Sequence, residues 1–328
     1  MSQKIKYIMN NVRSSKYTPN KFDVLITNIS DDENRSYSLV HELYEKKSII
    51  DNIIVLDYKN QKEMILAKLH GLNIFKNIEY ILTTKEDENS IIQVRNLLKD
   101  LKDNCIIGID ISCIPVPQFF LLMKIIFLYQ TEVYVYYTEP IRYLMNEGIF
   151  ESYFSTKGPI TTKEITGFSG ITVNNENDSI ERTLLCILGF DNDLLPTVIQ
   201  DAAPRKIVPI NGFPSFYPKF KDISLSNNEK ILSGSNYVNK LDKSIRHTNY
   251  VYVEANNPFD TYNTLEELKQ KCKSNCIDVV PLGTKPMALG VCMYAIRNND
   301  VRVIYPFPEE YVKNISEESK NTWEYIIT

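Results

Sequence analysis

The chain contains 328 residues with a formal net charge of −4 at pH 7, and hydrophobic residues make up 43% of it. This length can bury a sizeable core and predicts roughly two domains, and the composition is typical of a soluble globular protein. The acidic balance argues against a protein dedicated to long nucleic-acid polymers, which usually present a basic face, but it does not exclude a local basic groove.

Cysteine usage and hydropathy point to a cytoplasmic protein. The six cysteines lie mostly inside apolar runs, which is typical of reduced, buried thiols without a disulfide partner. Cys272 and Cys276 could share a helix face, but no histidine or second cysteine pair accompanies them at zinc spacing, so no metal or other cofactor is expected. The N-terminus lacks the apolar core of a secretory signal. The longest apolar stretch, Phe119 to Tyr129, carries Lys124 and is too short to span a bilayer, so we expect no membrane partner.

Residues 1–150 alternate apolar strands with helices. The patterns predict strands at 22–27, 52–57, 80–82, 105–111 and 132–137, and helices at 36–45, 61–69, 90–101 and 118–129. Near-continuous apolar strands that alternate with helices indicate a parallel sheet covered by helices on both faces. We interpret this part as a first Rossmann-like lobe.

The same pattern begins again after a connector. Residues 151–180 are polar and are punctuated by Gly158-Pro159 and Gly167-Phe168-Ser169-Gly170, which predicts a connector with a hairpin or a short added strand. Residues 181–328 then repeat the first lobe's order of strands, acidic loop, helix and Pro-closed turn. The ending Pro308-Glu309-Glu310-Tyr311 matches Pro140-Ile141-Arg142-Tyr143 at an offset of roughly 170 residues, and such a recurrence is typical of duplication.

The sequence therefore predicts an α/β protein of two tandem Rossmann-like lobes with mainly parallel sheets, related as a pseudo-two-fold duplication. A chance match between two α/β domains is the alternative. The main difference between the halves is an insert in the second lobe at about residues 211–245, which is rich in aromatic residues and proline from Phe213 to Phe220. We interpret the insert as a lid over a site or as a loop that faces a partner.

The stretch from Asp278 to Ile296 contains the most informative motif. Its sequence predicts a buried strand, a tight Gly283-Thr284-Lys285-Pro286 turn and an apolar helix that starts at Pro286 or Met287, with Thr284 as the N-cap. Backbone N–H groups and the positive end of the helix dipole would then lie beside a lysine, and this combination binds phosphate or carboxylate. A capped helix that carries a surface lysine is the alternative.

Other polar residues also follow predicted strands, where ligands of open parallel sheets bind. Asp110, beside Ser112, would either stabilise a turn or accept a hydrogen bond from a ribose hydroxyl or an amine. Asp191 and Asp193 would bind a cation or ribose hydroxyls, or would lie solvated in a loop.

Two arginines and two tyrosines complete the set of candidate ligand contacts. Arg205, near the start of a strand, and Arg142 could each face an anion. Tyr143 and Tyr311 could stack on a base, and core packing is the alternative role for both. Ile114 is the first-lobe counterpart of Lys285, so only the second lobe supplies a cation at its turn.

Signatures of enzymes are mostly absent from the sequence. It contains no Walker turn, no G-x-G-x-x-G motif and no nucleophile elbow. The three histidines, His41, His70 and His247, are scattered, so a histidine-dependent mechanism would require the fold to bring one of them to the site. The residues favour binding over catalysis and leave open whether any turnover occurs.

The segment Gly283-Thr284-Lys285-Pro286-Met287, placed after a buried strand, resembles the ligand-binding turn of CRISPR-associated Rossmann-fold sensor domains. Two such lobes in one chain are similar to the fused pseudo-dimer of the related SAVED domains of bacterial anti-phage systems. The resemblance implies recognition of a cyclic or linear oligonucleotide second messenger in the groove between the lobes. The first lobe departs from the pattern with Ser112-Cys113-Ile114-Pro115. No effector domain is attached either, so the resemblance implies a separate effector protein.

The leading hypothesis is a cytoplasmic nucleotide sensor or accessory protein of a prokaryotic defence system, which signals to a partner protein. Lys285 and the N–H groups around Gly283 and Thr284 would hold phosphate. Four side chains would touch the sugar or base edges: Asp110, Ser112, Asp191 and Asp193. One alternative is a nucleotide phosphodiesterase or glycosidase with the acidic loops as catalytic carboxylates, and another is a ligand-free scaffold that docks a partner through its aromatic insert.

Overall fold

The computed structural model describes residues 7–13, 15–30, 34–84, 88–101, 104–129, 132–143, 156–170, 182–233, 250–272, 276–311 and 316–328. The chain forms two compact units. Unit 1 comprises Met1–Leu144 and Asn314–Thr328, and unit 2 comprises Met145–Lys313. No helix in the described ranges is long and apolar enough to cross a membrane.

Unit 1 contains a seven-stranded sheet whose parallel strands are joined through helices. Its elements are β1 (Tyr7–Asn11), β2 (Lys21–Thr27), a 3-10 helix (Asn34–Tyr37), α1 (Ser38–Glu45), β3 (Ile49–Asp57), α2 (Lys62–His70), β4 (Phe75–Leu82), α3 (Glu88–Leu98), β5 (Ile107–Asp110), α4 (Val116–Tyr129), β6 (Val133–Tyr143) and the C-terminal strand β13 (Ser316–Ile327). The spatial order is β1-β13-β6-β5-β2-β3-β4. The five strands from β6 to β4 are parallel, whereas β13 and β1 are antiparallel to their neighbours.

Unit 2 contains a six-stranded sheet of the same kind. Its elements are β7 (Thr156–Ser169), β8 (Arg182–Ile187), α5 (Leu194–Ala202), β9 (Lys206–Gly212), α6 (Pro218–Ser233), β10 (Val251–Val253), α7 (Pro258–Cys272), β11 (Cys276–Pro281), α8 (Lys285–Arg297) and β12 (Val301–Tyr311). The spatial order is β10-β9-β8-β11-β12-β7, and only β7 is antiparallel to its neighbour.

The two units share one topology, which confirms the prediction of two duplicated α/β lobes with mainly parallel sheets. When the five parallel strands of each unit are numbered along the chain, their spatial order in the sheet is 3-2-1-4-5. This is the order of a doubly wound Rossmann-like sheet. The repeated Pro-x-x-Tyr segments also occupy equivalent positions. Tyr143 pairs with Ser316, the first residue of β13, and Tyr311 pairs with Thr156, the first residue of β7.

In each unit, the last parallel strand pairs with an antiparallel strand that follows the last parallel strand of the other unit along the chain. The strand after β6 is β7, which pairs with β12, and the strand after β12 is β13, which pairs with β6. The boundaries therefore differ from the predicted ones at 150, 180 and 328. The predicted connector supplies a 14-residue strand to unit 2, and the C-terminal strand completes unit 1 instead of the second lobe. Hydropathy predicts that a segment is a strand, but it carries no information on which sheet the strand joins.

Burial of the parallel strands on both faces explains their near-continuous apolar sequences. Every residue of β11 is buried. The core of unit 1 includes Phe22, Leu25 and Ile53, and that of unit 2 includes Leu184 and Leu195.

Helix α6 corrects the interpretation of the aromatic insert. The segment predicted as an excursion at 211–245 contains this 16-residue helix, which begins at Pro218 and connects β9 to β10 as the other helices connect parallel strands. Residues 234–249 of the insert lie outside the described residues. Proline is favoured in the first turn of a helix, so Pro218 was the available signal.

A buried carboxylate ties β13 to unit 1. Glu324 is fully buried, and it accepts hydrogen bonds from Tyr136 Oη at 3.1 Å and from Ser15 Oγ at 2.8 Å. Burial, with the Glu324 charge as the next cause, raises the pKa of Tyr136 well above its usual value, so its hydroxyl stays a donor. The strand is therefore held by side chains as well as by its backbone ladder.

We expect the variant Glu324→Ala to lower the free energy of unfolding by roughly 1–3 kcal/mol, because it leaves the buried Tyr136 hydroxyl and the part-buried Ser15 hydroxyl without this acceptor. Urea unfolding measures this loss. The control is Lys271→Ala on α7, where the lysine side chain is 70% exposed and lies 3.1 Å from Glu267, whose side chain is 67% exposed. An exposed pair contributes about 0–1 kcal/mol. Equal, small effects of both variants would contradict the role given to Glu324.

A second buried carboxylate fixes β11 between its neighbours. Asp278 lies within the sheet and is fully buried, with 0% of its surface exposed. Its Oδ1 accepts from Arg182 Nη1 on β8 at 2.9 Å and from Arg302 Nε on β12 at 2.8 Å, and its Oδ2 accepts from Arg302 Nη2 at 2.6 Å. The Asp278 hydrogen bonds raise the pKa of Arg302. The apolar pattern around Asp278 predicts a buried strand but does not indicate this ion pair.

We expect Asp278→Ala to destabilise the protein by roughly 1–3 kcal/mol, because the side chains of Arg182 and Arg302, 26% and 21% exposed, lose their charged hydrogen-bond acceptor. Thermal and urea unfolding measure the change. Asp222→Ala is the matched control, since the Asp222 side chain is 73% exposed and its loss should cost less than about 0.5 kcal/mol. A loss below 1 kcal/mol for Asp278→Ala would refute a structural role for this ion pair.

Candidate functional site

The candidate site lies at the carboxyl edge of the unit 2 sheet. There, β8 and β11 are neighbours although two parallel strands separate them along the chain. This point, where the strand order reverses, is the topological switch point at which open α/β sheets bind ligands. The segments that leave the two strands are Leu188–Asp193 and Leu282–Thr284.

Helix α8 begins directly after this turn. Lys285 is its first residue and Pro286 its second, and Thr284 is the N-cap with an extended backbone at φ −65° and ψ 158°. Thr284 Oγ1 accepts the Met287 N–H at 3.4 Å. The predicted cap is confirmed, and the helix begins at Lys285, next to the predicted start. Thirteen aligned peptides place a positive dipole end here.

Close backbone packing explains the two glycines at the switch point. A Cβ on Gly283 would lie 2.7 Å from Ile187 Cγ2, and a Cβ on Gly189 would lie 2.2 Å from the Leu282 carbonyl oxygen. The Leu282 N–H donates to the Ile187 carbonyl at 3.1 Å, which continues the pairing of the two strands past their ends. The turn is therefore seated against the chain that leaves β8.

The loop after β10 supports the turn, and the sequence analysis did not identify it. Thr284 Oγ1 donates a hydrogen bond to the Ala255 carbonyl. Asn257 begins α7 by accepting the N–H groups of Phe259 at 3.1 Å and Asp260 at 3.3 Å, and Asp260 accepts the Glu254 N–H at 2.7 Å. The Asn-Pro pair at 257–258, with an acid two residues later, was the signal for this helix start.

Thr284 thus has both hydrogen-bonding functions of its hydroxyl engaged by protein groups, which leaves the backbone as the binding element. The N–H groups of Gly283 and Thr284 make no hydrogen bond to protein groups in the described part of the chain. Lys285, partly buried, begins the helix beside them. This arrangement of two donors, a dipole end and a cation suits an anion.

The acidic loop after β8 has a structural role. Asp191 is 6% exposed, and its Oδ1 accepts the Asp193 N–H at 3.0 Å. Asp193 precedes α5 and makes no side-chain cap. Between them, Asn192 Oδ1 is buried without a hydrogen-bond partner among the described groups. Asp191 therefore stabilises the turn into α5, and Asn192 supplies an unsatisfied acceptor that the sequence analysis did not single out.

Arg205 lies at the opposite edge of the sheet from the turn. It precedes β9, and its N–H donates to the carbonyl of Arg182, the first residue of β8. A strand of seven residues spans about 23 Å, so a small ligand held at the carboxyl edge does not reach Arg205. The predicted grouping of Arg205 with the turn is corrected accordingly.

The remaining predicted contacts, apart from Tyr311 of unit 2, belong to unit 1. Asp110 is 2% exposed, and its Oδ1 accepts both the N–H of Ser112, at 2.9 Å, and the Ser112 hydroxyl. Ser112 Oγ in turn accepts the Thr138 N–H at 2.7 Å. This buried network matches the turn-stabilising alternative for Asp110. The side chains of Arg142, Tyr143 and Tyr311 lie outside the described residues.

No group of three or more His, Cys, Asp or Glu side chains in the described ranges is arranged to hold a metal ion.

Comparisons with known proteins do not assign the chain to a family. No family model and no curated protein matches it. Among solved structures, a functionally unknown protein from Pseudomonas aeruginosa PAO1 is 9% identical with a TM-score of 0.24, over 89% of this chain and 92% of that one. A universal stress protein from Archaeoglobus fulgidus DSM 4304 is 12% identical with a TM-score of 0.25, over 87% and 96%. The cytoplasmic domain of a prokaryotic cation chloride cotransporter is 9% identical with a TM-score of 0.27, over 89% and 98%. Such low TM-scores carry no argument about the site.

We expect Gly283→Ala to destabilise the protein by roughly 1–3 kcal/mol, because the added methyl group overpacks Ile187 and moves the turn. Urea unfolding tests this. The control is Gly71→Ala, where a Cβ would meet no atom nearer than 3.9 Å and where the backbone has an ordinary φ of −67°. Such a change is neutral or stabilises by about 0.4–1 kcal/mol. A stable Gly283→Ala protein would show that the turn is not tightly seated.

Proposed function

We propose that this protein binds a nucleotide-type anion at the Gly283–Pro286 turn of unit 2 and acts as a sensor rather than as an enzyme. The observation that carries the proposal is the position of the turn. It lies at the topological switch point, at the N-terminus of a 13-residue helix, and it contains a lysine. Each of these features favours an anionic ligand at the same place.

In the proposed complex, a phosphate accepts hydrogen bonds from the N–H groups of Gly283 and Thr284 and pairs with the Lys285 ammonium. Hydrogen bonds to an ionised acceptor are roughly twice as strong as those between neutral groups. Asn192 Oδ1 would accept a hydrogen bond from a sugar hydroxyl or a base amine, which would satisfy a buried acceptor that no described protein group satisfies.

Binding is favoured over catalysis because two of the acids near the turn, Asp191 and Glu254, are engaged in structure. Asp191 accepts a backbone N–H of its own loop, and Glu254 accepts the Asn257 side-chain amide at 3.1 Å. A phosphodiesterase or glycosidase would require carboxylates directed at the ligand.

The proposed biological role follows the resemblance to defence-system sensor domains. In this role, the protein recognises an oligonucleotide second messenger and signals to a separate effector protein. The duplicated α/β topology and the Gly-Thr-Lys-Pro turn support the role. The groove between the lobes as the ligand's location stays a prediction.

We expect Lys285→Ala to abolish thermal stabilisation by nucleotides. The experiment measures the unfolding temperature of the wild type and the variant with a panel of mononucleotides, cyclic dinucleotides and cyclic oligoadenylates. A ligand at a hundred times its dissociation constant stabilises the folded state by roughly 2.7 kcal/mol, which is a shift of several degrees for units of this size. Lys230→Ala, an exposed lysine of α6, is the control and should respond as the wild type does.

Two outcomes would contradict the proposal. A wild type that responds to no member of the panel would favour the scaffold alternative. A shift that persists in Lys285→Ala would place the nucleotide elsewhere in the protein.

A further inference from the structure

Two aromatic side chains are exposed together at the carboxyl edge of unit 2. Phe213 is 52% exposed and Tyr252 is 45% exposed, although both are large apolar rings. Their ring centroids lie 6.1 Å apart at an interplanar angle of 73°, an edge-to-face pair. The Lys221 ammonium, which also lies 3.4 Å from Asp222, is 5.2 Å from the centroid of the Phe213 ring. We call Phe213 and Tyr252 the aromatic pair.

The backbone around the aromatic pair is well fixed. The Phe213 N–H donates to the Val253 carbonyl at 2.6 Å, and the Ala255 N–H donates to the Pro214 carbonyl at 3.0 Å. Tyr252 is in β10, directly opposite Asn211 of β9. Both rings are therefore mounted on paired strands and their immediate continuations, so their exposure is a property of the folded sheet.

The aromatic pair is a near neighbour of the Gly283–Pro286 turn. The Met287 thioether lies between Gly283 and Gly212, because a Cβ on Gly283 would be 3.1 Å from Met287 Sδ and a Cβ on Gly212 would be 3.3 Å from the same atom. Phe213 directly follows Gly212 in sequence. On the other side, Thr284 is hydrogen-bonded to Ala255, three residues after Tyr252. The aromatic pair and the turn therefore lie on neighbouring segments at the same edge of the sheet, connected through Gly212, Met287 and Ala255.

Other aromatic residues of the same segment are already packed. The Phe220 ring lies 4.9 Å from that of Phe190 and 5.1 Å from that of Tyr217, and all three are partly buried. These ring contacts pack the start of α6 against the chain that leaves β8. Within the segment from Phe213 to Phe220, Phe213 alone among the described aromatic residues is classed as exposed.

We propose that the aromatic pair is the platform on which the base of the ligand stacks while its phosphate occupies the turn. This inference rests on the proposed function and adds the ligand class: a nucleotide with a flat heteroaromatic base, a purine in preference to a pyrimidine. Aromatic side chains bind bases through their faces with little dependence on sequence, and purines offer the larger face. The nearby Lys221 places a positive charge beside the Phe213 ring.

The test compares the dissociation constants of adenosine 5′-monophosphate and ribose 5-phosphate, two probes that share the sugar and phosphate and differ in the base. Wild-type protein should bind the nucleotide more tightly. Phe213→Ala and Tyr252→Ala should each weaken its binding, by roughly 5-fold to 150-fold for loss of stacking, and should leave ribose 5-phosphate binding unchanged. Phe213→Tyr should restore binding. Cytidine 5′-monophosphate should bind more weakly than the adenine nucleotide.

The control variant is Tyr17→Ala, which removes a tyrosine of unit 1 that is 55% exposed and should change neither constant. Equal affinity of wild type for both probes, or unchanged nucleotide affinity in both alanine variants, would overturn the stacking platform and leave anion binding at the turn intact. Binding of neither probe to the wild type would overturn the platform and the proposed function together.

Discussion

The structure of unit 2 depends on how closely the chain leaving β8 approaches the chain leaving β11. Glycine at 189 and 283 permits this approach, since a Cβ at either position would overlap the opposite segment. The approach allows Leu282 to continue the pairing with Ile187 beyond the strands. It therefore determines where α8 begins and which backbone N–H groups surround its first residue. The anion-binding geometry is a consequence of strand packing at the switch point.

The duplicated topology has diverged in how the carboxyl edges of the two sheets are used. In unit 1, the corresponding position is occupied by the Asp110–Ser112–Thr138 network, which is buried and internally hydrogen-bonded. In unit 2, the turn carries a lysine and two backbone donors. We infer that the first lobe has a mainly structural role at this edge. The return of β13 makes the unit 1 sheet depend on the C-terminal segment, whereas unit 2 is formed by one continuous stretch of chain, Met145–Lys313.

Much of the architecture could be predicted from the sequence because parallel strands buried on both faces have an apolar pattern that differs from that of helices. The strands at 22–27 and 276–280 and the cap at Thr284 were predicted on that basis and are present. The sheet to which β13 belongs could not be predicted, because its antiparallel pairing with β1 and β6 joins segments far apart in the sequence. Helix α6 was missed because its aromatic and proline-rich start resembles a loop.

The candidate site was only partly predictable. A local motif, Gly-Thr-Lys-Pro, indicates a capped helix start, and this prediction depends on neighbouring residues alone. The support from Ala255, the aromatic pair and the orphan acceptor of Asn192 depends on segments far apart in the chain. Arg205 precedes its strand, as predicted, and in a parallel sheet that puts it at the amino edge, away from the turn, so it is not a contact of a ligand bound there.

The central claim is that a nucleotide binds at the turn after β11. Hydrogen–deuterium exchange tests this claim most directly. The measurement compares amide exchange with and without saturating adenosine 5′-monophosphate or cyclic di-adenosine monophosphate. The account predicts slower exchange in peptides that cover residues 282–290 and no change in those that cover residues 203–209, at the opposite edge of the sheet. Unchanged exchange at 282–290 in the presence of a nucleotide that demonstrably binds would contradict it.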